Sequence, residues 1–355
     1  MWCGLCLRER VNARFACLAS IAAAVAAPTA CVRHPVPQQF DGPTMGTTYS
    51  VVVTRLPAGL ARSDVQALID GVLSDIDRHL STYDPGSEIS RFNASARTDW
   101  QEVSGRLHEV VALARQVSRE SGGAFDVTVG PLVQLWGFGA DGAAMGDEPT
   151  PEAVERALVA TGFDRLESRE DGPSLRKSTA GLQLDVNGIA PGLAVDLIAV
   201  GLEAQGIRDY LVELGGEVRA RGRSPAGRAW RIAVEAPVAA ERRPYAMIEL
   251  DDLGISTSGD YREFRIVGGR RLSHTIDPRT GAPVTHALAS VSVVHRSTAL
   301  ADAYATALMV LGPREGEALA RRLGLAALLI ERDAQGGGFR ERVTPEFARL
   351  RRPLD

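Results

Sequence analysis

The sequence predicts an α+β fold: one compact unit on a mostly antiparallel sheet, preceded by an apolar leader. Three observations carry this. Helical and strand patterns alternate irregularly, not as regular βαβ units. Short strand patterns cluster late in the chain, two of them separated by the hairpin pair Gly268-Gly269. After Thr47 no segment has linker composition and none repeats at a fixed period, so residues 44–355 read as one domain.

The elements follow in chain order. Thr47–Leu56 holds Tyr49 and the run Val51-Val52-Val53, a strand. Ser63 is placed to cap a helix carrying Val65, Leu68, Ile69, Val72, Leu73 and Ile76 at helical spacing. Ser104 opens a second helix with Leu107, Val110, Val111, Ala114 and Val117, closed by Gly122-Gly123. Phe125–Val129 reads as a short strand, and Ala140–Thr150 as a glycine-rich loop. Thr150-Pro151 begins a helix, because threonine suits the N-cap and proline the first turn. Leu182–Val186 reads as a strand, and Pro191–Gln205 as a helix stopped by Gly206. Strands are expected at Tyr210–Leu214, Trp230–Glu235, Ala246–Leu250, Phe264–Val267 and Ala289–Val294. Thr298–Leu311 and Pro313–Leu323 are helical patterns, and Leu325–Glu331 is a last strand.

Ahead of the domain lies a different kind of chain. Arg8, Arg10 and Arg14 precede the apolar run Phe15–Ala27, and Pro28-Thr29-Ala30 follows. A basic start, a short apolar stretch and small residues make an export signal over residues 1–30. The run is short for a membrane span. Residues 31–43, with two prolines in Val32–Gln39, read as a tether. The four cysteines, Cys3, Cys6, Cys17 and Cys31, all fall in this leader region, so the domain has no disulfide and no thiolate metal site. Cys31 directly after Thr29-Ala30 also fits a lipoprotein signal, although Pro28 stands where such signals carry leucine. The expected location is the periplasmic side of a bacterial inner membrane, with a lipid anchor at Cys31 left open. A net charge of -4 argues against nucleic-acid binding, which favours basic surfaces.

Six segments carry chemistry. Leu272–Pro283 places Ser273, His274 and Asp277 beside the turn Asp277-Pro278-Arg279-Thr280-Gly281. His274 can take a proton near neutral pH, and Asp277 is a hard oxygen donor. Leu184–Gly192 runs through Asp185-Val186-Asn187-Gly188 into a helix start, where free N–H groups suit phosphate. It reads equally as an ordinary glycine turn. Asp302 and Thr306 are spaced four apart on one helix face, two hard oxygens of the kind Mg²⁺ takes. Alone, Thr306 bonding its own helix and a solvated Asp302 explain that pair as well. Leu300, Tyr304, Leu308 and Leu311 form a second, apolar stripe on that helix. Finally, Gly122–Pro131, Ser81–Glu88 and Ile255–Tyr261 are polar turns whose Tyr83 and Phe125 could stack on a flat ring or pack in the core, and whose three hydroxyls Ser256, Thr257 and Ser258 suit an anion.

Met45–Tyr49, Ser81–Pro85, Phe125–Pro131, Asp185–Gly192, Ser256–Tyr261, Ser273–Pro283 and Asp302–Thr306 stand in the order found in the ApbE family of FAD:protein FMN transferases. The resemblance spans nearly the whole chain after the leader. It implies an α+β domain of two pseudo-repeated halves around a nucleotide cleft. It implies FAD contacts at Met45, Tyr83, Ala124, Phe125, Asp126, Asp185 and Ile276. It implies Mg²⁺ held by the Gly188 carbonyl, Asp302 and Thr306, with His274 as general base. The reaction it implies moves FMN from FAD to a threonine or serine of an acceptor protein, such as a subunit of a membrane redox complex, and releases AMP. Two other functions use the same residues: an Mg²⁺-dependent FAD pyrophosphatase, and a non-catalytic FAD-binding lipoprotein. Many relatives carry lysine or glutamate where this chain has Pro191, so a side-chain contact from there is lost. Asp277-x-x-Thr280-Gly281-Ala282-Pro283 approaches the acceptor pattern of such enzymes, but Pro283 replaces its final hydroxyl, so it reads as a wall of the site.

Overall fold

The computed structural model describes residues 36–139, 148–169, 171–238, 242–261, 264–267, 270–333 and 338–354. The leader, the start of the tether, most of the Ala140–Thr150 loop and the Gly268-Gly269 turn lie outside the described residues. Pro35–Asp355 is one compact unit. Among the described residues no helix is long and apolar enough to cross a membrane.

The domain starts earlier than the sequence suggests. β1 (Gln38–Thr44) pairs antiparallel with β2 (Thr47–Val53), so residues 38–43 are sheet and not tether. Gly42 and Pro43 hide the strand, but an edge position tolerates proline. α1 (Arg62–Leu80) begins ahead of Ser63: its N-cap is Ala61, whose N–H donates to Asp64 Oδ2 at 2.8 Å. After α2 (Glu88–Ala94) and β3 (Gln101–Glu102), Ser104 does cap α3 (Gly105–Ser121), accepting from Leu107 N, and Gly122 ends it at φ 63°. The stretch Phe125–Val129 is not a strand. It meets Leu182–Val186 through one parallel bridge, Val129 to Gln183, and the bond from Asp185 N to Val127 O at 2.7 Å. Side chains explain the loss: Asp126 and Asp185 bond nearby backbone N–H groups and compete with a ladder.

α4 (Gly130–Leu135), α5 (Pro151–Val159, capped by Thr150), β4 (Leu166–Arg169), β5 (Ser174–Lys177) and α6 (Ala190–Ala204) follow. Next come β6 (Tyr210–Leu214), β7 (Glu217–Arg221), β8 (Trp230–Glu235), β9 (Pro244–Leu250), β10 (Leu253–Gly259), β11 (Phe264–Val267) and β12 (Arg270–Ser273). β11 and β12 pair antiparallel across the expected hairpin. β13 (Ile276–Asp277), β14 (Ala282–Pro283), β15 (Leu288–His295), α7 (Thr298–Leu323), β16 (Ala326–Arg332), β17 (Phe339–Val343), α8 (Pro345–Leu350) and β18 (Arg351–Arg352) complete the chain. α7 breaks at Gly312 (φ 77°), so the two expected helices are its two halves.

Eight strands form the main sheet in the order β1-β2-β6-β7-β10-β15-β16-β17, every pair antiparallel. Alternating residues feed two cores. Val212, Val293 and Leu329 face the larger core with α1, α3, α6 and α7; Val294, Leu328 and Ile330 face a smaller one shared with β8 and β9. Both faces are covered at β15 and β16, which read as near-continuous apolar runs for that reason. α7 lies between β10 and β15 and the helices α3 and α6. Ala299, Ala301, Ala303, Ala305 and Ala307 are fully buried, so its first half is enclosed on nearly every side and not striped.

Glycine sets how closely α6 and α7 approach. A Cβ on Gly192 would lie 2.5 Å from Thr298 O and 2.8 Å from Ala299 Cα. These are backbone atoms that cannot rotate away. Gly192→Ala is therefore expected to destabilise the protein by about 1–3 kcal/mol, the range for overpacking. Denaturant unfolding checks this; a midpoint equal to wild type would show that the crossing has slack.

Candidate functional site

The N-terminal half of α7 presents Asp302 and Thr306 one turn apart, and the surrounding elements bring oxygen atoms to both. Asp302 is buried; its Oδ2 accepts from Gly192 N at 3.3 Å, and its Oδ1 accepts from Ser256 Oγ at 3.2 Å. The Thr306 hydroxyl is hydrogen-bonded to Ser258 Oγ at 3.1 Å. Ser256 and Ser258 both belong to β10 and share one sheet face by its period of two. Gly188 comes in from the other side: a Cβ there would stand 3.1 Å from Thr306 Oγ1 and 3.3 Å from Phe125 Cε2. The structure thus gathers Gly188, Asp302, Thr306 and Phe125, which the sequence holds far apart.

Glu217, which sequence reasoning missed, completes this cluster. Ser256 Oγ also donates toward Glu217 Oε1, at 3.2 Å. Burial pushes the Glu217 carboxyl up to about 7. Burial, and then the facing Glu217 charge, hold Asp302 well above the ordinary carboxylate range. Among the described residues no arginine or lysine forms an ion pair with either carboxylate. The only signal in the sequence is the turn Gly215-Gly216 just before an acidic strand start.

The turn that carries Asp185 and Gly188 is clamped on its N-terminal flank. Asn93 donates to Leu184 O at 2.8 Å and accepts from Leu184 N at 2.7 Å. Lys177, itself buried, donates to the carbonyls of Asn93 and Ser95. Within the turn, Asp185 Oδ1 accepts from Asn187 N at 2.9 Å, and burial raises its carboxyl from the usual value. Asn93 was not foreseen; a single asparagine near a helix end carries no pattern.

The remaining candidates lie on other turns and loops. Asp126 Oδ1 accepts from Thr128 N and Oγ1, and Oδ2 from Phe163 N at 2.6 Å, so one oxygen holds its own loop and the other ties that loop to the chain after α5. Ala124 and Phe125 are buried, Phe125 within the larger core. A Cβ on Gly123 would meet Phe163 and Arg279, so this loop touches the Asp277–Arg279 turn. Arg279 pairs with Asp277 at 2.8 Å, and Trp136 Nε1 donates to Gly281 O at 2.7 Å, tying that turn to the residue after α4. The Ile276 side chain is buried in a small cluster with Leu132, Trp136 and Leu272. His274 sits at the bend between β12 and β13, half-buried, with its ring edge toward Phe138 at 6.5 Å. Met45 and Gly46 form the two-residue tip of the β1–β2 hairpin, both at positive φ (48° and 73°), and such strain in a non-glycine residue tends to mark function. Tyr83 is exposed on the loop between α1 and α2. Pro191 occupies the first turn of α6.

As a donor set, the α7 cluster is all oxygen: the carboxylates of Asp302 and Glu217 and the hydroxyls of Ser256, Ser258 and Thr306, with Gly188 beside Thr306. This fits a hard divalent cation such as Mg²⁺, and a carboxylate pair without a balancing cation is where such an ion lowers the energy most. The set contains no nitrogen or sulfur that would favour zinc.

Comparison with known proteins agrees with the resemblance. The model of the ApbE family matches residues 45–329. The FAD:protein FMN transferase of Salmonella typhimurium is 37% identical over 323 residues, 90% of this chain and 91% of that protein. The protein of the same name from Vibrio cholerae is 39% identical over 308 residues, 87% of this chain and 91% of its own. Among solved structures, the apo flavinyl transferase ApbE of Pseudomonas stutzeri is 43% identical with a TM-score of 0.81, covering 89% of this chain and 96% of that one.

The Glu217 shift gives a signed expectation. Its folded value of about 7 lies above the unfolded one, so the stability this group contributes is full below about pH 4.5 and lost as pH rises through about 7. In cation-free protein, Glu217→Gln should flatten the loss of stability between about pH 5 and pH 8, by on the order of 3 kcal/mol. Unfolding curves across that range check it, and parallel pH profiles for the two proteins would contradict it.

Proposed function

This chain belongs to the ApbE family, and we propose that it is an FAD:protein FMN transferase working with a divalent cation on the periplasmic side of a bacterial inner membrane. The observation that carries the reading is the convergence of Gly188, Asp302 and Thr306, with hydroxyls of β10, beside the Phe125 turn. A hydroxyl oxygen of the acceptor protein forms a bond to the FMN-side phosphorus of FAD. The bond from that phosphorus to the bridging oxygen breaks, AMP departs with that oxygen, and the hydroxyl proton goes to a base.

Each part of the chain has a role in this reading. Gly188, Asp302 and Thr306 would hold Mg²⁺, which supplies neutralisation of charge on the pyrophosphate oxygens. His274 accepts the hydroxyl proton. Met45, Tyr83, Ala124, Phe125, Asp126, Asp185 and Ile276 line the FAD site. At Asp126 and Ile276 the side chains are committed to the turn and to the core, so those positions offer backbone groups to the ligand. Pro191 offers no donor and presets the first turn of α6. Export rests on the leader, with Arg8, Arg10 and Arg14 ahead of Phe15–Ala27 and a candidate lipid attachment at Cys31. The acceptor would then expose its threonine or serine on that side of the membrane.

Purified protein incubated with FAD, Mg²⁺ and a candidate acceptor should yield acceptor carrying covalent FMN, and AMP in equal amount. Free FMN in place of the adduct would make the protein a pyrophosphatase, and neither product would make it an FAD carrier. Asp302→Ala should abolish transfer. His274→Ala should lower the rate about 10²–10⁴-fold with little change in FAD affinity, since a base acts in the transition state. Lost FAD binding with an unchanged saturated rate would make His274 a binding residue instead.

Location is tested separately. A chain beginning at Val32 should bind FAD and modify acceptor in vitro yet leave a periplasm-facing acceptor unmodified in cells. Full modification of that acceptor by the leaderless chain would overturn the export assignment.

A further inference from the structure

Glu217 is a half-buried carboxylate with no part in the chemistry above, and it reaches Asp302 through a single hydroxyl. Ser256 Oγ lies 3.2 Å from Glu217 Oε1 and 3.2 Å from Asp302 Oδ1. A serine has one proton to donate, so it can satisfy only one of the two carboxyl groups at a time. The other Asp302 oxygen already takes the Gly192 N–H. The placement is built into the sheet. β7 and β10 pair through Val218 and Ile255, and Glu217 and Ser256 are the next residues along the two strands. The preceding turn holds Gly215 and Gly216 at positive φ (65° and 121°), and Gly215 N donates to Thr48 O at 3.1 Å. Register and turn together fix the carboxylate.

We propose that Glu217, acting through Ser256, is a positioning residue for the divalent cation at Asp302. Glu217 takes the Ser256 proton. Asp302 Oδ1 and the Ser256 lone pairs are then turned toward the cation, and the Glu217 charge adds to the negative field there. Outer carboxylates that orient metal ligands act in this way. The inference rests on the reading of Asp302 as a cation ligand.

The test is Mg²⁺ binding to the whole protein by calorimetry and by Mg²⁺-dependent thermal shift, without FAD. Glu217→Gln and Ser256→Ala should each weaken Mg²⁺ affinity about 10–100-fold. The double variant should be no weaker than the poorer single one, because both changes cut the same link. Glu217→Asp should recover part of the affinity. In turnover the Mg²⁺ requirement should rise before kcat falls. Asp302→Asn is the control. If it abolishes Mg²⁺ binding while both single variants bind as wild type, this inference is overturned and the Asp302 reading stands. If Asp302→Asn itself binds Mg²⁺ as wild type, the Asp302 reading fails, and the inference with it. A Glu217→Gln protein that does not fold would make the carboxylate structural and also overturn the proposal.

Discussion

One contact joins the fold to the site: the backbone N–H of Gly192, in the first turn of α6, donates to the Asp302 carboxylate on α7. It exists because Gly192 has no side chain to hold the two helices apart. Asp302 is carried into the protein interior by a helix whose surroundings are alanine on five alternate positions. Small residues let neighbours close in, and close packing excludes water. The N–H at a helix start then offers the carboxylate partial compensation, since the first turn has donors to spare. It is not full compensation. A buried carboxylate with one long hydrogen bond, a shared hydroxyl and a second carboxylate nearby is an electrostatic liability, and nothing in the packing requires it. Structural reasons do not account for the pair, which is why the cluster reads as a place for a cation.

Around this rigid helix, backbone turns supply what side chains do not. Asn93 holds Leu184 by both its N–H and its C=O, Asp126 gathers two donors from Thr128 and one from Phe163, and Asp185 folds back on Asn187. Each uses a short polar side chain to pin backbone that has no sheet or helix to lie in. Turns fixed before a ligand arrives do not lose conformational freedom on binding, and that freedom is worth roughly 1–2 kcal/mol per residue. A glycine in such a turn, as at Gly188, lets the backbone pack close to Thr306 and Phe125.

What was legible in the sequence follows from how local each signal is. The strands Tyr210–Leu214, Trp230–Glu235 and Phe264–Val267 stand where their patterns put them, as do the helix capped by Ser104 and the break between the halves of α7. Those signals need no distant partner. β1 was hidden because its pairing with β2, and not its own composition, makes it a strand. Leu182–Val186 looked like a strand because it is apolar and buried, yet its backbone is held by side chains. The striped pattern on α7 was a misreading of a helix with neighbours on all sides. At the site, Asp302, Thr306 and Gly188 could be named from spacing and resemblance. Glu217 and Asn93 could not, because their importance lies in register and tertiary contact.

The candidate residues divide by environment, and the division has mechanistic meaning. Gly188, Asp302, Thr306 and Phe125 meet in or beside the core, on α7 and on turns pinned by side-chain hydrogen bonds. Tyr83 is exposed, and Met45 sits at a hairpin tip with a backbone conformation that non-glycine residues rarely adopt. In the proposed reaction the first group faces the pyrophosphate, where charge moves as the phosphorus–oxygen bond breaks. The second faces parts of FAD that do not react. Interactions that must differ between ground and transition state gain most from a site that cannot relax, because a fixed array of dipoles does not reorganise as charge develops. Interactions that only gather the ligand can reside on the surface, where a strained hairpin and an exposed ring can adjust. The core position of Asp302 therefore suits its proposed role better than its identity alone would. A carboxylate at the surface would bind a cation with less strain and position it less well.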